Sequence, residues 1–132
     1  MSYRVTRSDG RPIVELEDEP PYCRALRAAP PAREPELNTG LWLVMVFAAW
    51  SIYDIRAIQV ALDAARRFDG KIKLGLRPFY ASEEHAAWCP DLKEDDGNPL
   101  WIVLRDGEMC MKRHGFPTVD ELAEEIKAAC LA

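Results

Sequence analysis

Residues 46–59 read VFAAWSIYDIRAIQ. An apolar, strand-like run ends at Trp50, and Ser51-Ile52-Tyr53-Asp54 lead into a helical pattern. The first turn of a helix has unpaired N–H groups and a partial positive charge, so strand-to-helix junctions are where many proteins hold thiols, anions or nucleophiles. These four residues contain no thiol. Ser-x-x-Asp fits a variant capping box instead: the Ser51 hydroxyl accepts from a first-turn N–H, and the Asp54 carboxylate sits at the positive end of the dipole. Upstream, LWLVMVFA at 41–48 is a continuous apolar run of strand length, as expected of a strand covered on both faces. Downstream, Ile55, Ile58, Leu62, Ala65 and Phe68 recur at three- and four-residue spacings. They predict an amphipathic helix that ends at Asp69-Gly70, where glycine takes the left-handed cap.

The pattern continues toward the C-terminus. KIKLGL at 71–76 alternates as a strand does. Ser82 is placed to cap a short helix, EEHAAW, ahead of the polar loop CPDLKEDDGN. LWIVLR and EMCMKR are separated only by Asp106-Gly107, a strong two-residue hairpin signal. Thr118-Val119-Asp120-Glu121 is a capping box opening the last helix, with Val119, Leu122, Ile126, Ala129 and Cys130 on its apolar face. A strand–helix–strand unit implies a parallel crossover, and the closing hairpin adds antiparallel strands to the same sheet. The expectation is an α/β three-layer sandwich with a mixed central sheet.

Residues 1–40 are less regular and form an N-terminal extension to the core at 41–132, the two making one domain. YRVT and PIVELE, joined by RSDGR, predict a hairpin. A helical turn is expected over residues 22–28, within a stretch that carries Pro20, Pro21, Pro30, Pro31 and Pro35.

The chain has 132 residues, 48% of them hydrophobic, enough for one core. Its net charge of −5, spread along the chain, argues against nucleic acid as a partner. The longest apolar run, 41–50, is about half of what a membrane span needs, and the N-terminus lacks an apolar leader, so no membrane partner and a cytoplasmic location are expected. Cys23, Cys89, Cys110 and Cys130 form no C-x-x-C and are expected to be free thiols, Cys130 in the core and Cys89 exposed in its loop.

From Leu41 onward the residues resemble the thioredoxin family. The features are Phe47 ending an apolar strand, Trp50 at the junction, DGKIKLGL, Asn98-Pro99 opening LWIVLRDGE, and Gly115 before the last helix. The resemblance implies a thioredoxin-like three-layer α/β/α sandwich whose first strand could be Pro12 to Leu16, a cis bond between Asn98 and Pro99, and a groove beside it formed by Trp50, Ser51, Tyr53, Asn98 and Pro99. It also places the family's two redox cysteines at Ser51 and Asp54, and its buried acid at Met45. Thiol–disulfide exchange needs an attacking thiolate and a resolving thiol, and these positions supply neither. With no catalytic residue, cofactor or metal implied, the expectation is a redox-inactive binding module, chaperone or assembly adaptor that takes a protein or peptide. Two alternatives follow from the same fold. One is a glutathione-binding transferase- or reductase-like protein that uses Ser51 as a hydrogen-bond donor; the other is an atypical thiol oxidoreductase using Cys89 or Cys110.

Other constellations are weaker. Ser51, Asp54 and His85 or His114 lack the G-x-S-x-G of a nucleophile elbow, which argues against a hydrolase. His85 and Cys89 have helical ligand spacing but do not close a tetrahedral site. Glu94-Asp95-Asp96-Gly97 lacks the later Glu of a calcium loop. Trp101 is expected inside the sheet, whereas Trp88, at the end of the short helix, is open to either burial or exposure.

Overall fold

The computed structural model describes residues 3–8, 11–16, 23–26, 34–48, 51–79 and 99–131. Its sheet strands in chain order are β1 (Tyr3–Ser8), β2 (Arg11–Leu16), β3 (Cys23–Ala25), β4 (Leu41–Ala48), β5 (Lys73–Phe79), β6 (Leu100–Arg105) and β7 (Glu108–His114). The helices are α1 (Ile52–Arg66) and α2 (Val119–Ile126), the second continuing into a π-helical turn, Lys127–Leu131. β1 and β2 pair antiparallel as a two-stranded ribbon, as the hairpin pattern predicts. The remaining strands form a five-stranded mixed sheet in the order β3-β5-β4-β6-β7. β3, β5 and β4 run parallel, and β6 and β7 are antiparallel additions. The chain is therefore an α/β fold.

Alternation along β4 explains its continuous apolar sequence. Leu43, Met45 and Phe47 join a core with Trp101 and Val103 of β6, Leu74 and Leu76 of β5, and the buried faces of α1 and α2. Trp42, Val44 and Val46 point the other way and pack with Leu100, Ile102 and Leu104 of β6. Both sets are sealed from water, and each such large aliphatic side chain contributes about 1.5–3 kcal/mol by burial. Both α-helices lie on the first face. On the second face the described residues contribute Leu26 and Leu37, the latter from a 3-10 turn at Pro35–Asn38. The short helix expected at 82–88, which would belong to a further layer, lies outside the described residues.

Turn chemistry sets the ends of the elements. Asp69 and Gly70 have φ of 47° and 80°, the left-handed stop expected after α1. Asp106 and Gly107 have φ of 49° and 86°, the primed turn that joins β6 and β7 tightly. That turn is pinned to the start of β4, because Asp106 N donates to Gly40 O at 2.9 Å and Gly40 N to Asp106 Oδ1 at 2.8 Å. Thr118 and Glu121 form the reciprocal capping box of α2.

Three expectations are corrected. Residues 22–28 do not begin as a helical turn: Cys23–Ala25 is a strand parallel to Leu74–Leu76, and Leu26 N donates to Leu76 O at 2.8 Å. The open edge of β5 offers this backbone pairing, and Gly75 leaves the room it needs, since a Cβ there would lie 2.6 Å from Leu26 Cδ1. Pro12 to Leu16, which resembled a first strand of the central sheet, instead belong to the separate ribbon. Strand β5 begins at Lys73 and runs through Pro78 to Phe79 rather than spanning residues 71–76. Pro78 falls beyond the three-residue β3, where its missing N–H is tolerated.

Candidate functional site

Strand register brings the end of β4, the start of β6 and the end of β7 to one end of the sheet: Val46 faces Leu100, and Leu100 faces His114. Ser51, the start of α1, Pro99 and Gly115 all lie at this end. Pro99 is buried, and its carbonyl accepts from Gly115 N at 3.1 Å. Gly115 takes φ of 100°, and its own carbonyl accepts from Trp101 Nε1 at 2.9 Å. The buried Trp101 thus fixes the loop that begins with Gly115-Phe116.

At the junction itself, Ser51 is the N-cap of α1, and its Oγ accepts from Asp54 N at 3.4 Å. Asp54 does more than complement the helix dipole. It is 3% exposed, and its Oδ2 accepts from Ala48 N at 2.8 Å, while Ser51 N donates to Ala48 O at 3.1 Å. The capping box expected from Ser-x-x-Asp is therefore redirected: the carboxylate reaches past the cap to the last residue of β4. Burial pushes the Asp54 carboxyl above the usual carboxylate range, opposed by the hydrogen bonds from Ala48 N–H and Ser51. Met45 of β4 is fully buried.

Tyr53 and Ile52, in contrast, face outward at 68% and 55% exposure, and Phe116 across the site is 58% exposed. Tyr53 was expected from the sequence; Ile52 and Phe116 were not. An apolar residue between Gly115 and Pro117 was the legible signal for Phe116. Trp50 and Asn98, the other expected groove residues, lie outside the described residues, as do His85, Trp88, Cys89, the 94–97 acidic run and the Asn98–Pro99 bond. His114 ends β7 two strands away from β4 and is exposed, while the hydrogen bonds of Ser51 and Asp54 run to each other and to Ala48. Among the described residues no group of three or more His, Cys, Asp or Glu side chains could hold a metal ion. Among them, too, no helix is long and apolar enough to cross a membrane.

The cysteines depart from expectation. Cys110 and Cys130 form a disulfide, with Cα atoms 5.9 Å apart, so Cys130 is a buried cross-link rather than a free core thiol. Cys23 is free and buried.

The chain's fold is similar to those of solved structures. One, described as the structure of a malarial protein, matches with a TM-score of 0.54 and 17% identity, over 70% of this chain and 99% of its own. The likeness is one of fold. No protein-family model matches the chain, and neither does any curated protein.

Proposed function

We propose that this chain is a thioredoxin-like binding module, redox-inactive at the Ser51–Asp54 junction, whose working surface is the end of the sheet at the start of α1. The thioredoxin-like reading is supported by the strand order β3-β5-β4-β6-β7, with two antiparallel strands at one side, and by Pro99 at the entry to β6. The observation that carries the function is a pairing of opposites at one site. The two positions where the family keeps thiols hold a capping serine and a buried carboxylate, both used internally, while Ile52, Tyr53 and Phe116 around them are exposed. Large apolar side chains left at a fixed loop end are better suited to contacting a partner than to supporting the core.

The ligand is an extended peptide segment of a protein, bound by strand addition beside Pro99, with backbone pairing to Asn98 and side chains lodged on Trp50 and Tyr53. Chaperone and assembly-adaptor roles are both uses of this one contact. Binding to a panel of extended apolar peptides, measured by fluorescence anisotropy, tests the reading. Affinity should fall when alternate backbone amides of the best peptide are N-methylated, because strand addition depends on them. Equal affinity of the methylated and parent peptides would overturn it.

A further inference from the structure

The Cys110–Cys130 cross-link joins two irregular pieces of backbone. On β7, Val103 pairs with Met111 and Leu104 with Met109, so Cys110 is the extra residue of a β-bulge in the sheet's outermost strand. Bulges re-aim a side chain and recur next to functional sites. Cys130 lies in the π-helical turn Lys127–Leu131, an uncommon geometry that also recurs at functional sites. Within that turn Cys130 is the single buried residue, and Lys127, Ala128, Ala129 and Leu131 are all exposed. By contrast, α2 has its own anchors: Leu122, Ala123 and Ile126 in the core, and an ion pair from Arg113 of β7 to Glu125. The disulfide therefore holds the terminal turn and little else.

We infer that Cys110 and Cys130 are a reversible redox site, exchanging with small thiols and disulfides of the glutathione class, and that its state decides whether the terminal turn stays docked on β7. Access sets the direction of attack. Cys110 is half-buried and Cys130 is sealed in the core, so an incoming thiolate reaches Cys110 Sγ. A sulfur–sulfur bond forms between the thiolate and Cys110 as the Cys110–Cys130 bond breaks, and Cys130 leaves as a thiolate that takes a proton from water. A second thiolate then attacks the small thiol's sulfur in this mixed disulfide, releasing the oxidised small disulfide and the Cys110 thiolate, which is protonated in turn. Two small thiols are oxidised to one disulfide, and the protein disulfide is reduced to two thiols. The reduced state is accommodated, because Cys110 Sγ lies 3.5 Å from Val103 O, an acceptor for the thiol proton. Oxidation is the reverse sequence, with the small disulfide as oxidant. The junction at Ser51 and Asp54 takes no part.

The test is a redox titration of the folded wild-type chain in buffers of reduced and oxidised glutathione, acid-quenched, alkylated and mapped by peptide mass spectrometry. The expected result is a reversible conversion of the Cys110–Cys130 disulfide into two alkylated cysteines as the ratio changes. Alongside it, amide hydrogen exchange should show loss of protection in residues 127–131 on reduction and none in α1 or β4. Cys130→Ser should trap a glutathione adduct on Cys110, whereas Cys110→Ser should trap little on Cys130. Thiols at 110 and 130 that stay free at every ratio would overturn the inference. So would a disulfide that yields only when the whole chain unfolds, or exchange at 127–131 that ignores redox state.

Discussion

The Ala48 N–H donates to Asp54 Oδ2 at 2.8 Å, tying the last residue of β4 to the third residue of α1 across a loop of three. In a junction built for thiol chemistry the resolving sulfur would stand at position 54. Here a carboxylate occupies it, shielded from water and committed to the backbone, and the junction's hydrogen bonds are closed on themselves.

Asp54→Ala should destabilise the fold by about 1–3 kcal/mol, the cost of leaving the buried Ala48 N–H unsatisfied. Asp54→Asn, which keeps an oxygen in place, should cost less. The pH dependence has a definite sign. Because burial raises the carboxyl above its ordinary value of 3.8, the folded state binds its proton more tightly than the unfolded one. The stabilising contribution is then fully present below pH 3.8 and is lost as pH rises through the folded-state value. Urea unfolding of wild type and Asp54→Asn across acid pH checks this: the wild type should lose stability relative to the variant as pH rises. A difference that does not change with pH would show that Asp54 is not the titrating group.

Ser51 separates a cap from a ligand contact. Ser51→Ala should lower stability by about 0.5–2 kcal/mol, while Ser51→Asp, an equally good cap, should be tolerated. Peptide affinity should be nearly unchanged in both. A Ser51→Ala protein of normal melting temperature that loses retention on immobilised glutathione would instead favour the glutathione-binding alternative.

The proposed thioredoxin-like junction should accept a thiol pair. Wild-type protein is expected not to accelerate insulin reduction by dithiothreitol beyond the reductant alone. Ser51→Cys with Asp54→Cys places two thiols at the N-cap and in the first turn of α1, within reach of one another, and should gain a reducible disulfide between them. Wild-type turnover lost in Cys89→Ser would contradict the redox-inactive reading.

How far the sequence could be read followed from how local each signal was. The Asp106-Gly107 turn, the Thr118–Glu121 box and the Asp69-Gly70 stop are written in adjacent residues, and each appears as expected. β4 was legible because both its faces are covered, which leaves no polar interruption. Cys23–Ala25 was not legible, because its strand conformation is dictated by the open edge of β5, some fifty residues on. The same holds at the site. Ser51 as a cap depends on its own helix, whereas the burial of Asp54 depends on β4 lying against α1, and the Cys110–Cys130 bond depends on a bulge and a π-turn that no spacing announces.

The exposed apolar side chains carry the last prediction. Tyr53, in the first turn of α1, and Phe116, in the loop after β7, stand at the same sheet end, and neither is buried in the core, so truncating either should leave the unfolding midpoint close to wild type. Tyr53→Ala and Phe116→Ala should each weaken binding of an extended apolar peptide, and an anchor at the centre of such a contact costs about 2 kcal/mol or more, roughly thirtyfold in affinity. Trp50→Ala should act in the same direction. Leu131→Ala is the control, since Leu131 is also an exposed apolar residue but belongs to the terminal turn. Its affinity for the peptide should match wild type. Anisotropy titrations of all four variants, with melting curves beside them, decide the matter: equal affinity in Tyr53→Ala, Phe116→Ala and wild type would show that this end of the sheet is not the working surface.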